Sequence, residues 1–270
     1  MVAEAADFLD ECKAIDDLLA SFSEADFAEQ TAFKGWSVTD VVGHLHVYNQ
    51  AAFLSLTDEV ACAAFLAQMR VVREAGGTIT DGERVVLKDL RGRALATAWR
   101  SFAETLAEAF DKADGAKRVP WGGQLMSARS SISARLMESW AHAQAIYDQR
   151  GIVRQSTDRI RSIVVLGVNT YGWTFKNAGD APPEPKPYVS LVAPSGALWT
   201  FGEPSAADRV EGAAEDFCQV VTQVRNIADV TLTVVGDSAT QWMARAQCFA
   251  GPAHPPPAPG TRFTRKLAGA

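Results

Sequence analysis

Residues 37–56 read "SVTDVVGHLHVYNQAAFLSL". Ser37 and Asp40 stand at capping-box spacing, in which each side chain accepts a hydrogen bond from the other residue's backbone N–H at the start of a helix. An apolar run follows at once, so the stretch predicts a helix that begins at Ser37. His44 lies in the middle of the run, and we expect its side chain to point into a helical core. His46 faces a different direction, so only one of the two histidines can readily join a common site.

Helical patterns continue through the first two-thirds of the chain. Helices are predicted over residues 5–22, 37–56, 59–76, 83–113, 127–149 and 156–175, the last capped by Ser156 or Thr157. A Pro-rich linker follows at residues 177–187. Beyond it the pattern predicts two strands in 188–202, a helix over 205–225, a strand over 229–237 and a helix over 238–251.

These patterns predict an α+β protein in three parts. Residues 1–178 form a helical bundle, and residues 188–251 form a small α+β domain. Residues 252–270 form an extended Pro-rich tail that belongs to no core.

The composition excludes several functions. The chain has 270 residues, 47% of them apolar, and a formal net charge of −6, so attraction to nucleic acid or an anionic membrane is not expected. The N-terminal stretch lacks the features of a signal peptide, and no apolar run approaches a membrane span. The four cysteines, Cys12, Cys62, Cys218 and Cys248, have no CxxC spacing and predict buried free thiols in a reducing cytoplasm.

Residues 135–151, "RLMESWAHAQAIYDQRG", place Glu138 and His142 four positions apart on a predicted helix. Side chains at this spacing point about 40° apart and can reach one metal ion. Imidazole nitrogen and carboxylate oxygen suit Zn²⁺, Ni²⁺, Fe²⁺ or Mn²⁺, and His44 is the candidate third ligand. Spacing alone favours the alternative, a surface pair, because both residues lie opposite the apolar stripe of this helix. The helix can still be buried on both faces if its polar side lines a hydrated cavity.

"GWSVTDVVGHLH" (35–46) resembles the G-W-[ST]-x-x-[DE]-[VL]-x-x-H-L signature of the DinB-like, mycothiol-dependent maleylpyruvate isomerase N-terminal domain superfamily. "RLMESWAHAQAIYD" (135–148) resembles the second metal motif of that family, in which Glu and His stand four apart. The matching residues are His44, Glu138 and His142. The resemblance implies a DinB-like four-helix bundle in which these residues hold a metal, usually zinc, with an open coordination position.

The resemblance extends to the C-terminal part. Residues 188–251 are similar to the sterol-carrier-like α+β domain that follows the bundle in those isomerases. The whole chain resembles an uncharacterised actinobacterial subgroup, whose C-terminal part is sometimes labelled a wyosine base formation domain. The sequence contains no cysteine triad for the radical chemistry of wyosine synthesis.

The resemblance also implies a chemistry. In the family, the thiol mycothiol binds the metal as a thiolate and becomes the nucleophile of an isomerisation or S-transfer. A C-terminal arginine serves the substrate carboxylate there, and Arg225 is the catalytic candidate here. Many relatives carry Asp three residues after the second motif's histidine, where this chain has Ala145. Gln144 and Asp148 are the candidates to support the ligands in its place.

Three hypotheses stay open. The leading one is a cytoplasmic, metal-dependent isomerase or thiol transferase that acts on a small-molecule substrate. The second keeps the metal but not the thiol, so that a metal-activated water serves hydrolysis, dehydration or cyclisation in secondary metabolism. The third is a noncatalytic small-molecule-binding protein with a structural metal. We expect no nucleic-acid or membrane partner, and a homodimer stays open.

Overall fold

The computed structural model describes residues 2–121 and 124–262, which form two compact units that divide between Ile146 and Tyr147. The first unit is helical, and the second combines helices with a four-stranded sheet. The predicted α+β class is therefore confirmed. The second unit includes residues 147–178, which the sequence analysis assigned to the bundle. The predicted limits of 1–178, 188–251 and 252–270 stay predictions.

The first unit is built from helices and one short hairpin. Its elements are α1 (Glu4–Leu19), α2 (Glu24–Ala28), α3 (Val38–Thr57), α4 (Glu59–Glu74), α5 (Ile79–Leu87), α6 (Gly92–Lys112), the paired strands β1 (Arg118–Trp121) and β2 (Gln124–Ser127), and α7 (Ala128–Arg150), whose last residues belong to the second unit. Helix α6 packs against α1 and α3, while α4 and α5 pack against each other and against α3. Phe8, Leu45, Trp99 and Trp140 are fully buried in this core.

The opening stretch forms α3 as predicted. The Ser37 Oγ accepts from the Asp40 backbone N–H at 3.1 Å, and the Asp40 carboxylate accepts from the Ser37 N–H at 3.0 Å. Both bonds of the capping box are therefore present, and the box fixes where α3 begins. Because the start of α3 is fixed, His44 lies two turns into the helix with its side chain buried.

The prediction of one helical segment over 83–113 is wrong, because the chain breaks between α5 and α6. Lys88 takes a φ of 53°, in the left-handed region, and ends α5. Gly92 opens α6 with a φ of 50°. A side chain there would overlap the carboxylate of Glu24, which instead accepts a hydrogen bond from the Arg93 backbone N–H at 3.1 Å. This break lets α5 run in its own direction across α3 and α4.

The second unit contains a mixed sheet covered by helices. Its elements are a 3₁₀ turn (Asp158–Ile160), α8 (Arg161–Asn169), α9 (Tyr171–Asn177), β3 (Tyr188–Val192), β4 (Leu198–Phe201), β5 (Arg209–Ala213), α10 (Ala214–Val221), a 3₁₀ turn (Ile227–Asp229), β6 (Leu232–Val235) and α11 (Asp237–Met243). The strand order is β4-β3-β5-β6, with β3 and β5 parallel and the other pairs antiparallel. Helix α10 packs on α8, β3 and β5 and buries Phe217.

Several other predictions for single elements need correction. The predicted helix over 205–225 is a strand, β5, followed by the shorter helix α10. The predicted helix over 156–175 is interrupted at Thr170, whose hydroxyl donates to the backbone carbonyls of Leu166 and Gly167 at 2.9 and 3.0 Å. Thr157 precedes the first 3₁₀ turn without a side-chain cap. Strands β1 and β2 pair with each other, and Gly122 and Gly123, which stand between them in sequence, lie outside the described residues.

Two further expectations concern the cysteines and membrane-spanning helices. All four cysteines are buried and free of disulfides, as predicted. No helix among residues 2–121 and 124–262 is both long enough and apolar enough to cross a membrane.

Candidate metal centre

Two helices of the first unit bring three side chains with metal-binding atoms together. Helix α3 supplies His44, and α7 supplies Glu138 and His142. One ligand atom from each residue lies within 4.8 Å of the other two, and this is the only such three-residue group found among the described residues. The sequence prediction of which side chains converge therefore agrees with the geometry.

The distances from Glu138 to the two histidines fit a bound metal. The Glu138 Oε2 lies 3.0 Å from the His142 Nε2 and 3.6 Å from the His44 Nε2. Two ligands about 2.1 Å from a tetrahedral zinc ion are about 3.4 Å apart. Two imidazole nitrogens and one carboxylate oxygen are also a donor set that zinc and similar divalent ions accept. The residues present therefore fit a divalent metal.

Helix α7 is buried on both sides, so Glu138 and His142 are not an exposed surface pair. Ser131 and Arg135, on the same polar face, are each 2% exposed. The side chains of Glu138 and His142 are 24% and 14% exposed to solvent. The cluster is thus mostly shielded from solvent but can still be reached from outside.

Aromatic rings surround the two histidines. The indole of Trp36 stacks on the His142 ring at 5.7 Å between centroids and also contacts the His44 ring at 5.2 Å. Phe33 meets His142 edge-on at 5.0 Å, and Tyr48 lies 4.6 Å from the ring of His44. These rings limit the rotation of both imidazoles and exclude water from their faces.

The charges of the cluster are set by burial and by mutual contact. Burial opposes ionisation of Glu138, but hydrogen bonds with His142 and His44 outweigh it and hold the pKa of this carboxyl well below its usual range. Burial also acts to lower the pKa of His44, yet contacts with Glu138 and Glu83 raise this pKa overall. Burial, with the neighbouring His44, lowers the pKa of His142 to about 4. A first proton on the metal-free cluster therefore goes to His44.

The sequence analysis missed Glu83. This α5 side chain is 2% exposed, and its Oε1 lies 2.7 Å from the His44 Nδ1, the ring nitrogen that faces away from Glu138. No motif marks it, because residues 83–113 read as one helix. The break at Lys88 that separates α5 from α6 is seen only in the structure.

A second buried charge, Arg135, was also not predicted. It lies one turn before Glu138 on α7, and its Nε donates to the Asn49 Oδ1 of α3 at 3.1 Å. Both side chains are buried. This bond ties the two ligand-bearing helices together close to the cluster.

A cavity of about 620 Å³ lies beside α4 and α5. Its lining includes Tyr48, Leu66, Met69, Arg73 and Ile79. Tyr48 links it to the candidate metal centre, because the same side chain contacts the ring of His44. Burial, with the nearby carboxylates of Glu83 and Glu138, raises the pKa of the Tyr48 hydroxyl to about 12, so this hydroxyl is a neutral donor at neutral pH.

The other two histidines lie apart from the cluster. His46 is on α3, where its Nε2 pairs with the Gln50 amide at 2.9 Å and its ring meets Phe102 edge-on. Burial lowers the pKa of His46 to about 4, so it is a neutral core side chain. His254 lies in the tail, where its Nδ1 donates to the Pro255 carbonyl. Of the two histidines on α3, only His44 joins Glu138 and His142, as the spacing predicted.

Arg225 and Asp148 pair with each other in the second unit. Both terminal nitrogens of Arg225 donate to the two carboxylate oxygens of Asp148 at 2.7 Å, and both residues are buried. Gln144 is buried on α7, two residues after His142. The catalytic role expected of Arg225 and the supporting roles expected of Gln144 and Asp148 stay predictions.

The fold and this cluster define a helical domain that carries a candidate metal site on two of its helices. Residues 8–147 match the family model described as the mycothiol maleylpyruvate isomerase N-terminal domain. The chain belongs to this family, and the resemblance seen in the two motifs is confirmed to that extent. The sterol-carrier-like and wyosine-related labels of the C-terminal part stay predictions.

The similarity to other proteins extends beyond the residues that match the family model. The uncharacterised protein Rv0036c of Mycobacterium tuberculosis strain H37Rv is 36% identical over 247 residues, which cover 92% of this chain and 95% of that protein. The uncharacterised protein MT0041 of strain CDC 1551 gives the same values. Two crystal structures of the mycothiol-dependent maleylpyruvate isomerase, one of them a mutant, share the fold with a TM-score of 0.50. They are 16% and 15% identical and cover 81% of this chain and 87% of theirs.

Proposed function

We propose that this chain is a divalent-metal-dependent enzyme that acts on a small metabolite. We further propose that a metal-activated low-molecular-weight thiol, such as mycothiol, serves an isomerisation or S-transfer. The observation that carries the proposal is the convergence of the ligand atoms of His44, Glu138 and His142 within 4.8 Å. Family membership and the similarity to a mycothiol-dependent isomerase support it.

His44, Glu138 and His142 would hold the metal, most simply zinc. When bound, the ion would supply a Lewis acid that favours the thiolate form of a thiol at neutral pH. Phe33 and Trp36 cover the histidine faces and would keep water from the ligands. The remaining exposure of Glu138 and His142 favours an accessible coordination position over a closed structural site.

The cavity beside Tyr48 gives a small substrate a place to bind next to this centre. Leu66, Met69 and Ile79 offer apolar contacts, while the charged lining consists of Arg70, Arg73 and Glu74. The neutral Tyr48 hydroxyl can donate a hydrogen bond toward the same space. The contacts suit a metabolite with an apolar part and a polar or anionic group.

Metal analysis tests the proposal. Protein purified without added metal should carry about one divalent ion per chain, and His44→Ala and His142→Ala should lose it while keeping their helical circular dichroism. His46→Gln is the matched control, because His46 is also a buried histidine of α3 but lies outside the cluster. Full metal content in both alanine variants would show that the assignment is wrong.

Calorimetry with mycothiol tests the thiol. The metal-loaded protein should bind mycothiol and the metal-free protein should not. The second candidate, a thiol-independent metalloenzyme, is motivated by Ala145, which stands where many relatives carry Asp. Absence of heat at millimolar mycothiol, with the metal still bound, would favour this candidate.

A further inference from the structure

Helix α5 is held in place by contacts that do not involve the metal ligands. Gly82 packs so closely on α4 that a methyl group at this position would lie 3.0 Å from the Met69 carbonyl oxygen. Arg84 forms an ion pair of 3.0 Å with Asp40, the residue that caps α3. Gly82 therefore holds α5 against α4, while the partly exposed Arg84–Asp40 pair adds little to the position of α5.

The Glu83 side chain reaches His44 from this fixed position. Its Oε1 lies 2.7 Å from the His44 Nδ1, and the side chain is 2% exposed. A carboxylate only accepts hydrogen bonds, so the imidazole must donate from Nδ1. A neutral imidazole has one N–H, which leaves the lone pair on Nε2. This is the nitrogen that lies 3.6 Å from the Glu138 Oε2.

We infer that Glu83 is a positioning residue of the metal site. By accepting the Nδ1–H of His44, it selects the tautomer and the ring orientation in which Nε2 can ligate a metal. The inference rests on the metal site of the proposed function. It also explains why a carboxylate is buried here: its charge is paired with a ring that must keep one orientation.

The two histidines are oriented in different ways. The ring of His142 is contacted by Trp36, which stacks on it, and by Phe33, which meets it edge-on. His44 is contacted by Trp36 and Tyr48 and has, in addition, the short, buried bond to Glu83. Loss of Glu83 should therefore act directly on His44 and leave the contacts of His142 with Trp36 and Phe33 in place.

Zinc affinity of three variants tests the inference. Glu83→Ala removes the acceptor and should weaken zinc binding about 10- to 100-fold, the usual effect of losing such a partner. Glu83→Gln keeps an oxygen acceptor at the same position, so its zinc affinity should lie between those of the wild type and Glu83→Ala. Arg84→Gln is the matched control, because it removes a partly exposed ion pair between α5 and α3, at the residue next to Glu83, without touching His44. Its affinity should stay close to that of the wild type.

Histidine ring nitrogen NMR on the metal-free protein at alkaline pH gives an independent readout. In the wild type, His44 should be the Nδ1–H tautomer, and Glu83→Ala should gain the Nε2–H tautomer. Zinc affinity in a folded Glu83→Ala protein equal to that of the wild type would overturn the inference, as would an Nε2–H tautomer of wild-type His44.

If Glu83→Ala does not fold, a Glu83→Gln protein with a mixed tautomer and weakened zinc binding supports the inference. Unchanged values in Glu83→Gln then overturn it. If the wild type binds no metal, the proposed function fails, while the tautomer of His44 still decides the contact with Glu83.

Discussion

Lowering the pH should reduce the affinity of the cluster for a metal ion tenfold per pH unit, over the pH range between the pKa values of the two histidines. The metal-free cluster takes its first proton on His44, whose pKa lies above its ordinary value of 6.5 because Glu138 and Glu83 outweigh the effect of burial. The second proton meets resistance, since burial and the charge on His44 lower the pKa of His142 to about 4. Glu138 stays ionised throughout, because its pKa is held well below the usual range. Between the two histidine pKa values the cluster therefore carries one proton.

The magnitude follows from this proton count. A metal ion must displace the His44 proton to reach Nε2, so one proton leaves for each ion bound. Each unit of pH below the His44 pKa then lowers the affinity tenfold, which is about 1.4 kcal/mol. Above that pKa the affinity should be constant. Below about pH 4 the second histidine also holds a proton, and the slope should approach two.

Competition with a chromophoric chelator, repeated across pH, measures this slope. The range from about pH 5 to about pH 6.5 is decisive, because His44 is protonated there and His142 is not. Any affinity left in His44→Ala should change less steeply across that range, because the group that takes the first proton is gone. A constant wild-type affinity, or a slope of two, would refute the assignment of the first proton to His44.

Three further predictions concern stability, measured by urea unfolding. Trp99→Ala should cost about 3–5 kcal/mol, because the indole is fully buried in the core of the first unit. Gly82→Ala should cost about 1–3 kcal/mol and weaken zinc binding, since the added methyl meets the backbone of α4. Gly172→Ala is the control: it has open space around it and should be neutral or stabilising by up to about 1 kcal/mol. Arg225→Met should cost about 3–5 kcal/mol by removing the two hydrogen bonds that Arg225 donates to the buried Asp148 carboxylate. Adding Asp148→Leu should recover most of this loss, and a double variant as unstable as the single one would contradict the pairing argument.

The sequence predicted well those elements whose signals are local. The capping box at Ser37 and Asp40 gave the start of α3, and the apolar run placed His44 in the core. Residues 205–225 were misread because β5 is a strand only through its pairing with β3 and β6, which are distant in sequence. Helix periodicity does not contain that information.

At the candidate metal site, too, the sequence lacked information on contacts between residues distant in sequence. The spacing of Glu138 and His142 favoured a surface pair, because it describes one helix and not what covers its polar face. Burial of Arg135 beside them is a tertiary effect, made by its bond to Asn49 on another helix. The resemblance to a family, and not the periodicity, predicted this set of metal ligands.

The segments that orient the ligands differ from the helices that carry them. Trp36 contacts both histidine rings, and the Thr31 backbone N–H and hydroxyl both donate to its carbonyl, at 2.8 and 2.9 Å. Glu83 reaches His44 from α5, a helix that exists only because the chain breaks at Lys88. A chain could therefore keep both ligand motifs and still bind metal poorly if either segment were changed. Metal affinity in this family should depend on the loop before α3 and on α5, as well as on the three ligands themselves.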